Sequence, residues 1–289
     1  MKAYEYILAK QVQWALNRGI KLIGSKGRRG RPAYTFTLEQ NLFEPLEPDV
    51  RKCFEKGDGG EIIGSQDSPD KIQAVHSSSA LSVNIFQYWQ KIDQVPLIAS
   101  ACGFCRKGNN ISKKIVFEHK YPIDEKKFRF APNIDVVIHN SDSVKVKLFA
   151  IECKFTEAYS LQRHQGIKPE YIGLNEIWND IPAIYDLAKS LCPDDERFFH
   201  LHPAQLIKHI LGLKKGFGKE GFRLLYLWYD VLGEEGAIHK KEIEAFSEVV
   251  RSDGVKFHAL SYQELIVKLC NEYRLDHGEY IKYLSDRYL

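Results

Sequence analysis

No apolar run in this chain approaches the ~20 residues that a helix needs to cross a bilayer, so no membrane partner is expected. The start, "MKAYEYILAKQVQW", lacks the basic-then-apolar pattern of a signal peptide, and the expected location is cytoplasmic. Cysteine is sparse, with six in 289 residues. Cys53, Cys102, Cys105, Cys153, Cys192 and Cys270 are scattered, which suits reduced thiols better than a disulfide framework. Cys102 and Cys105 form a CxxC in "ACGFCRKG", but no second cysteine pair and no HxxxH completes a zinc site. Its flanks do not read as a strand-to-helix junction, so packing explains the pair, with a thiol-redox role as the alternative. There is also no internal repeat and no low-complexity linker.

What is present is an ordinary globular composition, 44% hydrophobic and 27% charged, in a chain long enough to bury a sizeable core. The length suits one large domain, or one domain with an extension. We expect residues 1–64 to form an irregular basic N-terminal extension, which can pack on the core, and 65–289 to form the main domain, with 156–200 as an insertion. The net charge of +3 is small, but its distribution is uneven. Arg18, Lys21, Lys26, Arg28, Arg29 and Arg31 fall in one window with no acid among them. A solvated loop explains this run, and so does a phosphate-contacting arm. In the second case Lys26, Arg28, Arg29 and Arg31 are the nucleic-acid-binding residues. The "RGRP" at 29–32 resembles the core of an AT-hook, a short arm that places arginines in a narrow minor groove.

Periodicity predicts the elements. A helix is expected from Ser68 as cap and Pro69 in its first turn, through Ile72, Val75, Ser79, Val83 and Phe86. Its many small polar residues suit either close packing or the lining of a groove. A second helix is expected over Val95–Cys102. "KKIVFEHKYPI", "NIDVVIH" and "VKVKLFAIECKF" read as strands, the last two joined as a hairpin through "NSDS". His202–Leu213, Ala237–Arg251 and "SYQELIVKLCNEY" read as helices, the last with a Ser261/Glu264 capping box. "FRLLYLWYDV" is a strand covered on both faces, and "VKFHAL" is another. The alternation in the second half implies parallel strands. The fold class is therefore α/β, with a mixed central β-sheet flanked by helices.

One strand carries charges where a core strand should not. In "AIECKFTEAY", Ile151, Cys153 and Phe155 share one face, while Glu152, Lys154 and Thr156 share the other. On the preceding strand Asp135 stands between Ile134 and Val136. Any even-length loop puts Asp135 and Glu152 on one face, and a six-residue loop pairs them directly; the register is open. If they converge, two carboxylates and an ammonium share a small site. Such a site suits Mg2+, which takes one or two carboxylates plus water and substrate phosphate. The Cys153 backbone carbonyl would lie within reach. The alternative is an amphipathic edge strand with a local Glu–Lys pair.

Asp135, then sixteen residues, then Glu152-Cys153-Lys154 resembles the PD-(D/E)xK nuclease superfamily, the restriction-endonuclease-like fold. "KFTE" and the "SSSALSVNIF" segment resemble a less characterised restriction-endonuclease-like branch. The resemblance covers roughly residues 68–270. It departs from the pattern in one respect: the proline, Pro132, lies three positions before the acid. The resemblance implies Asp135, Glu152 and Lys154 as catalytic residues, with Asp135, Glu152 and the Cys153 carbonyl as metal ligands. It also suggests Glu118 as an additional acid and Gln205 as a helix glutamine. Glu157 reads as a helix-start residue.

The implied function is a metal-dependent nuclease that hydrolyses DNA phosphodiester bonds, of restriction or repair type, using Mg2+ with Mn2+ as a substitute. DNA is the expected partner, and Tyr159, Tyr171 and Trp178 are aromatics that could touch it. A two-fold target would suit a homodimer. The alternative is a non-cleaving nucleic-acid-binding protein on the same fold.

Overall fold

In the computed structural model the described residues are 1–24, 31–57, 59–64, 69–128, 130–160 and 164–289, with the backbone alone at Arg31 and Pro32. The chain begins with helix α1 (Ala3–Asn17), the short strands β1 (Leu22–Gly24) and β2 (Arg31–Thr35), and helix α2 (Pro48–Lys56). Helices α3 (Ser78–Lys91) and α4 (Val95–Ala101) precede strands β3 (Ser112–Lys120), β4 (Asn133–Asn140) and β5 (Leu148–Lys154). Helices α5 (Pro169–Ile172), α6 (Pro182–Ser190) and α7 (Pro203–Phe217) lead to β6 (Phe222–Trp228). Helix α8 (Glu234–Ser252), strand β7 (Phe257–Ser261), α9 (Tyr262–Tyr273) and α10 (Gly278–Tyr288) complete the fold.

The central sheet has the order β3-β4-β5-β6-β7. Its first three strands are antiparallel neighbours, while β5, β6 and β7 run parallel. The sheet is mixed and flanked by helices, as the α/β pattern predicts. Apolar residues alternate along the central strands, so each face has its own core. Phe149, Ile151 and Cys153 of β5, with Leu225 and Leu227 of β6, pack against α1–α4, α9 and α10. Leu148 and Ala150, with Leu224, Tyr226 and Trp228, pack against α5–α8. Burial on both faces explains why β6 reads as a continuous apolar run; each such side chain contributes about 1.5–3 kcal/mol.

Two expectations about the first half are corrected. Residues 1–64 are not irregular: α1 buries Ile7, Trp14 and Ala15 at helical spacing, and α2 buries Val50 and Phe54. The helix expected with Ser68 as its cap starts nine residues later. Ser77 is its cap, accepting the Ala80 N–H at 3.2 Å. The segment before it forms a 3-10 turn at Lys71–Gln73 and then pairs with β2, where Val75 N donates to Ala33 O at 2.9 Å. Ser68 lies outside the described residues. The strand after the hairpin turn is also shorter than expected, since β5 begins only at Leu148.

Helix α10 was not anticipated. It buries Tyr280, Ile281, Tyr283, Leu284 and Tyr288, and also Arg287. The Arg287 guanidinium donates to Gln11 Oε1 (3.0 Å), Asn41 O (2.8 Å), Asn41 Oδ1 (2.6 Å), Tyr283 Oη (2.7 Å) and Val75 O (3.1 Å). A buried charge survives only when its donors are met. This network ties the C-terminal helix to α1 and to the segment before α3.

Candidate active site

The hairpin determines how the acids meet. The β4–β5 pairs run in constant register from His139↔Leu148 to Val136↔Ile151. Asn140 N donates to Lys147 O at 2.8 Å, so the connection is the six residues 141–146. One step beyond the last pair, that register sets Asp135 opposite Glu152. The β3–β4 pairs Phe117↔Val136 and His119↔Ile134 likewise set Glu118 opposite Asp135. One acid from each of three adjacent strands therefore falls at the same level of the sheet.

The ladder opens at this level. Ile134 joins one core and Val136 the other, so the alternation of β4 slips at Asp135. The Asp135 carboxylate turns into the gap, where its Oδ2 accepts the Cys153 N–H at 2.7 Å. In an extended strand the N–H and C=O of one residue point the same way. The Cys153 carbonyl therefore also faces the β4 side, next to Asp135. The Cys153 side chain points into the core.

Glu152 is fully buried and points toward α7. His209 Nε2 lies 2.8 Å from its Oε2. Lys154 Nζ lies 2.6 Å from its Oε1 as a charge contact that lacks hydrogen-bond geometry. His209 reaches this point because α7 lies close to the end of β3. A Cβ at Gly212 would stand 2.3 Å from Tyr121 O, so only glycine allows this approach.

Electrostatics divides the acids. Burial raises the Glu152 pKa, but Lys154 and then His209 outweigh it and hold the carboxyl at about 2. Burial, then the Glu152 charge, pushes Asp135 well above the ordinary aspartate value, and Lys154 only partly offsets this. Burial is also the first cause of the rise of Glu118 to about 7, with Glu61 and Glu152 adding and Asn133 opposing. Asn133 Nδ2 donates to Glu118 Oε2. Glu118 has a φ of 52°, a left-handed conformation that costs a non-glycine residue about 1–2 kcal/mol. Burial works against the charge on Lys154, yet Glu152 and Asp135 raise its pKa above the ordinary lysine value. Three acids thus share about one compensating ammonium. Two of them bind protons more tightly than free carboxyls do, which marks a site short of positive charge.

Asp135, Glu152, Lys154 and Glu118 therefore cluster. Gln205 sits on the first turn of α7 and lines a 670 Å³ cavity with His209; His209, one turn further on, is the residue that reaches Glu152. Sequence reasoning missed His209. The available signal was its spacing of four from Gln205, on the same helical face. Lys154 also lines a 280 Å³ pocket with Glu157, His164 and His200. Glu157 belongs to a 3-10 turn, and its Oε2 accepts the Phe155 N–H at 3.0 Å.

Other expectations are corrected. Tyr159, Tyr171 and Trp178 are buried. The Tyr159 hydroxyl donates to Tyr229 O at 2.9 Å and the Trp178 indole to Tyr171 O at 2.9 Å, so these rings pack and do not stack on bases. The α3 helix is packed against the sheet along most of its length and does not line a groove. Cys102 is buried and Cys105 half-buried. Burial pushes both thiols up, which disfavours the thiolate that redox chemistry needs. Lys26, Arg28 and Arg29 lie outside the described residues, and Arg31 opens β2.

Among the described residues, no three His, Cys, Asp or Glu side chains surround one point as a metal cage. The candidate donors are fewer: the Asp135 and Glu152 carboxylates and the Cys153 carbonyl. Two carboxylates and a carbonyl are oxygen donors of the kind that Mg2+ takes while keeping several waters, whereas zinc sites draw on Cys and His, and none of these three donors is a Cys or His side chain. Among the described residues no helix is long and apolar enough to cross a membrane.

No curated protein and no solved structure matches this chain. A family model described as "Restriction Endonuclease associating with ARP" matches residues 8–289, nearly the whole chain. The chain belongs to this restriction endonuclease family, and its mixed sheet flanked by helices is consistent with a restriction-endonuclease-like fold.

Proposed function

We propose that the protein is a Mg2+-dependent deoxyribonuclease that hydrolyses DNA phosphodiester bonds with Asp135, Glu152 and Lys154. The observation that carries this reading is the alignment of Glu118, Asp135 and Glu152 across β3, β4 and β5, with Lys154 beside them. Asp135, Glu152 and the Cys153 carbonyl would hold the metal. When bound, Mg2+ supplies charge neutralisation on the phosphodiester and lowers the pKa of a water, making a nucleophile near neutral pH.

The remaining steps belong to the chain's own groups. Lys154 stays protonated because Glu152 and Asp135 favour its charge. Its ammonium, on a side chain that is 16% exposed, can hold the attacking water or meet charge developing on the phosphate. His209 fixes one Glu152 oxygen from α7, which leaves Oε1 to be shared with Lys154. Glu118, with its pKa near 7, is positioned to take or return a proton at the edge of the site.

The test is plasmid and linear DNA incubated with Mg2+, Mn2+ or EDTA, using the unchanged protein, Asp135→Ala, Glu152→Ala and Lys154→Ala. We expect metal-dependent cutting that each substitution abolishes while DNA binding survives. Cutting that persists in Glu152→Ala overturns the site assignment. One observation favours a second reading, a non-cleaving DNA-binding protein: Glu152 already has both Lys154 and His209 as partners. Intact DNA binding without cutting under any metal would support it.

A further inference from the structure

The 670 Å³ cavity beside the acids has a chemistry that metal chemistry does not require. His209 separates the two, lining the cavity while holding Glu152. Three lysines, Lys127, Lys168 and Lys208, line it against one acid, Glu170. Lys208 is partly buried, and burial and then the Lys168 charge lower its pKa. Two ammoniums thus line one cavity. Such a pair is stabilised when an anion lies between them.

The same wall of the cavity is the start of α7, which runs 15 residues and has no side-chain cap. His202, Gln205 and Lys208 come from one face of this helix. The positive end of its dipole adds to the attraction for a phosphate. Other lining residues are aromatic. Phe128 stacks face to face on Tyr171, centroids 3.9 Å apart at 8°, and Phe130, 62% exposed, stands at the rim. The volume lies within the range of small-molecule pockets.

We propose that this cavity binds one nucleoside phosphate, its phosphate between Lys168 and Lys208 at the α7 N-terminus and its base on the Phe128 and Phe130 side. The ligand has two sources with one chemistry: an unpaired nucleotide of a substrate strand, or a free mononucleotide. The strand source rests on the nuclease reading. It would make this protein favour DNA with an unpaired segment next to the cut.

The test is run in EDTA, so that cutting plays no part. Anisotropy of dye-labelled octathymidylate and of the same strand in duplex is measured, with dTMP titrated by calorimetry. Lys168 is exposed, so Lys168→Glu spares the fold; Lys113→Glu on β3 makes the same charge change outside the cavity. We expect the single strand to bind more tightly than the duplex. Lys168→Glu should weaken it about tenfold, Lys113→Glu by less than about twofold, and Phe130→Ala by at least about fivefold. Binding of dTMP with the same Lys168 dependence assigns the pocket to free mononucleotides; strand binding without dTMP binding assigns it to the strand. Equal effects of Lys168→Glu and Lys113→Glu, or no binding of either probe, overturn the pocket. Neither result touches the Asp135, Glu152 and Lys154 cutting series, so the two readings fail separately.

Discussion

Lys154→Met should destabilise the protein in a pH-dependent way that reports the buried carboxylate. Lys154 Nζ stands 2.6 Å from Glu152 Oε1, and the Glu152 side chain is 0% exposed. At an effective dielectric of 20 that contact corresponds to about 6 kcal/mol of attraction. Much of it offsets the desolvation of the two charges, and losing one partner of a buried pair typically costs about 3–5 kcal/mol. The Lys154 side chain is 16% exposed, which favours the lower end, about 3 kcal/mol. The pH dependence follows from Glu152, whose carboxyl falls from 4.5 to about 2 on folding. A depressed folded pKa contributes stability that is present above the unfolded value and lost as pH falls through the folded one. The contribution is about 3 kcal/mol, complete above about pH 5 and gone near pH 2. Urea unfolding at pH 7 and pH 3 should therefore show a wide gap between the unchanged protein and Lys154→Met at pH 7 and a narrower one at pH 3. Adding Glu152→Gln to Lys154→Met should recover most of the loss, because no buried charge is then left unpaired and the amide oxygen can still accept from His209. A gap below about 1 kcal/mol at pH 7, or one equal at both pH values, would refute the reasoning.

Asp135→Asn should abolish cutting yet stabilise the metal-free protein at pH 8 and not at pH 3, because the raised pKa of Asp135 makes its ionised form a burden above that pKa; thermal melts in EDTA at the two pH values check the sign. Gly212→Ala should destabilise by about 1–3 kcal/mol although alanine favours helix by about 1 kcal/mol. Its Cβ would meet the Tyr121 carbonyl and push α7, with His209, off the sheet; urea unfolding and a loss of cutting read both effects. Arg287→Met should cost about 3–5 kcal/mol by leaving Asn41 and Gln11 without their buried donor, measurable by thermal denaturation, while Arg274→Met on an exposed turn should cost less than about 0.5 kcal/mol.

The letters between 112 and 155 carried much of the site. Alternation around Asp135 and Glu152 made strands, the turn residues made a hairpin, and a charged pair inside an apolar run marked an unusual strand. The alternating second half determined the parallel part of the sheet in the same way, because a pattern of period two or 3.6 reports which face must leave water. Helices α1 and α10 also carry apolar residues at helical spacing, but the partners that bury those residues lie far along the chain.

What the sequence left open was decided by contacts distant along the chain. The segment 144–147 alternates like a strand, so only the pairing with β4 could set the six residues 141–146 as the connection. Pairing with β2 drew Val75 out of the helix that its spacing favoured. Asp135 turned into the sheet plane because β4 and β5 part there, leaving the Cys153 N–H in need of an acceptor. His209 lies 57 residues from Glu152, and no local pattern links them. Local periodicity therefore determined the strands and the identity of the acids. Register, close approach at Gly212 and the balance of three acids against one lysine came only from tertiary packing, because charge and hydrogen-bond partners depend on distance in space and not along the chain.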